Sequence, residues 1–62
     1  MTTFSEILSM VVENGRVERN DDGSLNCESL EVEVAFEASE EGLDAAGVQA
    51  AIQFAREHTD CN

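Results

Sequence analysis

From Glu28 to Ala38 apolar and acidic residues alternate: Leu30, Val32, Val34 and Phe36 fall on one parity, Glu31, Glu33 and Glu37 on the other. Successive side chains of an extended strand point to opposite faces, so this pattern predicts a half-buried β-strand with an apolar inner face and a row of carboxylates outside. Upstream, Thr3-Phe4-Ser5-Glu6 fits a capping box, and Phe4, Ile7, Leu8, Val11 and Val12 recur at helical spacing up to Asn14-Gly15. That predicts a first helix of about 10 residues. The same Asn-Gly, flanked by β-formers, is also a hairpin signal, but apolar groups would then lie on both faces, so the helix is favoured.

Residues 16–27 predict a hairpin whose loop is Asp21-Asp22-Gly23, with Gly23 in the left-handed position. This register sets Asn20 opposite Ser24, Arg19 opposite Leu25 and Val17 opposite Cys27. Inward parity is odd here and even from Leu30 onward, which requires a bulge or break near Glu28-Ser29. After Ala38, Ser39 is a candidate cap, and Leu43 to His58 predicts a helix whose apolar face is Leu43, Gly47, Ala50, Ala51, Phe54 and Ala55, with Val48 and Ile52 at its margin. Gly47 would mark a close approach to the sheet, and Thr59 to Asn62 should fray. The expected fold class is α+β: an antiparallel sheet of about three strands, a C-terminal helix packed on one face, and a short N-terminal helix.

Sixty-two residues make one domain with a marginal core, and an apolar content of 42% is enough for it to fold. No run approaches the roughly 18 apolar residues of a membrane span, and no leader pattern opens the chain, so a soluble cytoplasmic protein is expected. Charge is what changes the picture. Fourteen acids face Arg16, Arg19 and Arg56, with no lysine, for a net charge of -11. Such a chain repels nucleic acid and anionic membranes and is steered toward basic protein surfaces.

Candidate chemistry is thin. Cys27 and Cys61 are expected as two reduced thiols, with a bridge between them as the alternative. His58 and Cys61 with Cys27 and Asp60 fall short of a zinc pattern, and Asp21-Asp22-Gly23 lacks the order and 12-residue spacing of a calcium loop. His58 reads as a helix C-terminal histidine. No phosphate-binding glycine motif or nucleophile-base pair is present, so the expectation is a non-enzymatic protein without a cofactor or metal.

The acidic surface is then the candidate. Glu31, Glu33 and Glu37 on a strand would repeat at about 6.6 to 6.8 Å per two residues, near two phosphate steps of about 3.4 Å along one DNA strand. Glu28, Glu40, Glu41 and Asp44 would extend that row, and Glu13, Glu18, Asp21 and Asp22 form a second cluster.

In size and charge the whole chain resembles the small phage-encoded inhibitors of host defence, particularly anti-CRISPR proteins of the DNA-mimic kind and, more distantly, anti-restriction proteins. The resemblance implies a stoichiometric inhibitor that acts in the host cytoplasm. It would occupy a basic DNA-binding groove, such as the site where a type I CRISPR surveillance complex reads its duplex target or PAM. No motif is shared, so no residue is carried over. A salt-adapted acidic protein and an antitoxin-like interaction module are the alternatives.

Overall fold

The computed structural model describes residues 2–62 and contains three helices, α1 (Phe4–Glu13), α2 (Cys27–Glu40) and α3 (Ala45–His58), each packed on the other two. The fold is an all-α three-helix bundle. The expected α+β sheet is overturned, because the stretch assigned to its central strand is α2.

The first helix forms as its sequence predicts. Thr3 Oγ1 accepts the Glu6 amide and the Glu6 carboxylate accepts the Thr3 amide, both at 3.2 Å. At the other end Gly15 adopts φ +68°, and the amides of Gly15 and Arg16 donate to the carbonyls of Val12 and Val11. This is a Schellman closure, in which a left-handed glycine lets the chain reverse while the last carbonyls stay bonded. Asn14-Gly15 therefore ends a helix and does not open a hairpin.

Residues 16–26 form a tight turn that never widens into a sheet. Arg19 and Leu25 make one antiparallel bridge, the Asn20 amide donates to the Ser24 carbonyl at 2.8 Å, and Gly23 sits at φ +88°. The register is the predicted one for those two pairs. Val17 does not pair with Cys27, since Cys27 is already the first residue of α2. Where a bulge was expected near Glu28-Ser29, the chain has instead entered a helix, capped by the Asn26 side chain accepting the Ser29 amide at 2.9 Å.

Two periodicities coexist in α2, and packing decides between them. Leu30, Val34 and Ala38 satisfy a period of two, but they also recur every fourth residue, one above another on a helix. They are fully or almost fully buried, whereas Val32 is 64% and Phe36 57% exposed. In a strand all four of Leu30, Val32, Val34 and Phe36 would share the inner face. The glutamates and alanines between them are good helix formers and poor strand formers, and residues 16–26 offer no long edge to pair with.

Ser39 lies inside α2, which ends in a second Schellman closure: Gly42 is at φ +90°, and the amides of Gly42 and Leu43 donate to the carbonyls of Ser39 and Ala38. Asp44, not Ser39, caps α3 by accepting the Gly47 amide at 2.9 Å. With no sheet present, the close neighbour of Gly47 is Leu43, whose Cβ would lie 3.0 Å from an added methyl. Ala51 and Ala55 are buried as expected, while Ala50 is exposed. The core is completed by Ile7 and Val11 from α1 and by Val17 and Leu25 from the turn.

The C-terminal residues do not fray, and the two cysteines are not free thiols. Cys27 and Cys61 form a disulfide across a sequence separation of 34. Asn62 donates its amide to the Leu25 carbonyl at 2.8 Å and accepts the Cys27 amide at 2.9 Å. Sequence distance hid this pairing, because the return of α3 toward the start of α2 is a property of the bundle.

The reassignment of faces has a direct test. Val34→Asp should unfold the domain, since it places an unpaired charge in the core at a cost of about 3 kcal/mol or more. Phe36→Asp should leave the helical circular dichroism and the melting transition nearly unchanged. The reverse outcome would restore the strand.

Candidate functional site

Glu31, Glu33 and Glu37 do not form one row. On a helix, residues two apart point about 200° away from each other, so the three acids separate to two edges of α2. Arg16 enters from the turn after α1 and donates from Nε to Glu33 at 2.8 Å and from Nη1 to Glu37 at 2.7 Å. Glu37 is buried, at 9% exposure, and this clamp is what makes a buried carboxylate tolerable. Glu37 first and Glu33 second hold the Arg16 guanidinium above its already high ordinary pKa. On the opposite edge Arg56 approaches Glu31 at 3.7 Å.

The four flanking acids also separate by role. Glu41 accepts a hydrogen bond from the Thr2 hydroxyl, tying the beginning of α1 to the end of α2. Asp44 is the cap of α3. Glu28 and Glu40 are exposed, and among the described residues neither has an ion-pair partner. Of the seven acids named from the sequence, these two are left facing outward without an internal contact.

Between Glu28 and Glu40 lie Val32 and Phe36, each four residues from the next. Glu28, Val32, Phe36 and Glu40 thus form one ridge along the outer side of α2, about 18 Å long at 1.5 Å per residue. Phe36 is flanked by Arg16, whose Cζ lies 5.7 Å from the ring centroid. Beside Val32 an open groove of about 290 Å³ is lined by Glu18, Asn26, Glu28, Ser29 and Val32. Its floor is built by the α2 cap, because Ser29 Oγ also accepts the Glu18 amide at 2.8 Å and so draws the turn against the helix. A second open groove, of about 400 Å³, runs between α2 and α3 and contains Glu31, Ile52 and Arg56.

Val32 and Phe36 are the surface residues that strand reasoning assigned to the core. Their signal was present: an Asn cap three residues before Ser29, followed by Leu30, Val34 and Ala38 at every fourth position, places both outside. In the second predicted cluster, Asp22 is internally engaged, accepting the Ser24 amide at 2.9 Å and its hydroxyl at 2.6 Å. His58 stacks on Phe54 at the end of α3, with Nδ1 2.9 Å from the Phe54 carbonyl. With the two sulfurs bonded to each other, the cysteines present no thiolates. Among the described residues no three His, Cys, Asp or Glu side chains converge on a possible metal position. No described helix is long and apolar enough to cross a membrane.

Set beside known proteins, the chain matches no family model, no curated protein and no solved structure.

Two measurements check this electrostatic picture. Arg16→Gln removes the cation shared by Glu33 and Glu37 and should lower the melting temperature, more at low salt than at about 0.5 M, where the exposed acids are screened. An unchanged melting temperature at both salts would mean that the clamp is not formed. For Asp22, bonding to the Ser24 hydroxyl and amide holds the carboxyl below its ordinary 3.8. A depressed folded-state pKa contributes stability that is fully present above the ordinary value and is lost as pH falls through the depressed one. The Ser24 amide signal in an NMR titration should therefore move with a midpoint below 3.8. A midpoint at or above that value would remove the turn contacts.

Proposed function

We propose that this chain is a stoichiometric binding protein whose partner presents a basic protein surface. One observation carries the reading: each of the three arginines contacts a group of this same chain, and two of them contact carboxylates. Arg16 lies on Glu33 and Glu37, Arg56 lies beside Glu31, and Arg19 donates to the Gly23 carbonyl. Glu18, Glu28 and Glu40 are exposed and form no ion pair among the described residues. A net charge of -11 steers such a surface toward cations at long range.

The narrower form of the proposal is that the partner surface is the DNA-contacting groove of a host defence complex, with this chain excluding the duplex. Net charge and size favour it. The phosphate-like strand row no longer supports it, because Glu31, Glu33 and Glu37 occupy two edges of a helix and are each near an arginine. The ridge formed by Glu28, Val32, Phe36 and Glu40 favours contact with a protein surface that has apolar as well as basic groups.

A partner captured by cross-linking from host extract, then purified and reconstituted, decides between these forms. Binding should be one to one and should weaken steeply between about 0.1 and 0.5 M salt. It should also fall about tenfold or more in the Glu28→Lys, Glu40→Lys variant, whose fold should be intact. Salt-insensitive binding, or a charge-reversed variant that binds as well as the parent, would refute the proposal. Competition with duplex DNA in a gel shift tests the narrower form: simultaneous binding of both rules out groove occupancy and leaves an interaction module of the antitoxin-like kind.

A further inference from the structure

We infer that the outer ridge of α2 is a docking face for a basic amphipathic helix of a partner protein, with Val32 and Phe36 as its apolar centre and Glu28, Glu40 and Glu18 as its charged frame. This rests on the basic-partner reading and specifies the shape of what is bound.

The apolar centre is a pair of large side chains one helical turn apart, at 64% and 57% exposure, on a helix whose other apolar stripe already fills the core. Among the described residues nothing covers it. Glu28 lies one turn before Val32 and Glu40 one turn after Phe36, so the pair is closed at both ends by carboxylates that have no ion-pair partner among the described residues. A complementary surface therefore needs an apolar stripe about two side chains long with cations at both ends, which is the pattern of a basic amphipathic helix of about three turns.

The groove beside Val32 adds a specific acceptor. Val32 supplies an apolar wall for the methylene stem of a lysine or arginine, and Glu18 and Glu28 supply carboxylates for its charged end. On the other flank, the Arg16 guanidinium lies 5.7 Å from the Phe36 ring centroid and is itself held by Glu33 and Glu37.

A second copy fits poorly, because like ridges brought together would oppose Glu28 and Glu40 to Glu28 and Glu40 on molecules of net charge -11. An anionic lipid surface is repelled for the same electrostatic reason.

The test uses the full oxidised chain and two synthetic 18-residue peptides of identical leucine and lysine composition, one with a helical apolar stripe and one scrambled to abolish it. Calorimetry and amide NMR at about 0.15 M salt should show the striped peptide binding one to one. It should bind about tenfold more tightly than the scrambled one, with shifts centred on residues 28–40 and on Glu18. Val32→Ser with Phe36→Ser should erase that preference and keep the weaker binding of the scrambled peptide. Glu28→Lys with Glu40→Lys leaves the apolar pair in place and should weaken both peptides, giving an independent reading if the serine variant is unfolded. Equal binding of the two peptides, shifts centred elsewhere, or a preference retained in the serine variant would overturn the docking face. Self-association of the chain that disappears in the serine variant would overturn it too, since the occupant would then be a second copy. If neither peptide binds even at low salt, the basic-partner reading itself fails.

Discussion

The Cys27–Cys61 bond is the interaction on which the rest of this small bundle depends. Closing a loop of this length removes about 4 kcal/mol of denatured-state freedom in the chain-entropy picture. A core in a chain of this size rarely supplies more than about 3 to 5 kcal/mol by itself. The two contributions are comparable in a molecule with eleven unbalanced charges. The bond also acts locally. It holds Asn62 where its backbone can bond to Leu25 and Cys27, so the end of the chain becomes part of the wall that closes the core beneath the 16–26 turn.

What could be read from the sequence was whatever local chemistry determines. The Thr3–Glu6 capping box, the Asn14-Gly15 stop and the pairing of Asn20 with Ser24 around Gly23 depend on neighbours within five residues, and all are present in the structure. The central element was not legible in the same way. Leu30 and Val34 fit two periods equally, and Val32 and Phe36 tipped the count toward a strand while serving neither core. The assignment turns on what packs against residue 30, and Ile7, Ala51 and Ala55 are more than 20 positions away from it. The disulfide was hidden for the same reason.

The candidate site was half legible. Of the acids named from the sequence, Glu28 and Glu40 lie exposed on α2. Glu33 and Glu37 could not be separated from them by composition, because their distinguishing partner, Arg16, is 17 and 21 residues upstream. A carboxylate held by an internal cation contributes to the far field, yet a partner must displace that cation to use it at contact range. Two arginines, Arg16 and Arg56, therefore sort the acids of α2 into paired and outward-facing ones.

The glycine closure of α1 has a consequence for how α2 can move. Arg16 donates its own amide into that closure, so the root of its side chain is anchored to α1 before the guanidinium reaches α2. There it spans Glu33 and Glu37, acceptors one turn apart. If α2 slid along its axis by one residue, about 1.5 Å, with the accompanying rotation of about 100°, both acceptors would swing away from an anchor that cannot follow. Arg16 works as a detent. It opposes the small screw motion open to a loosely packed helix, and so adds to the packing of Leu30, Val34 and Ala38 in fixing which face of α2 is turned inward.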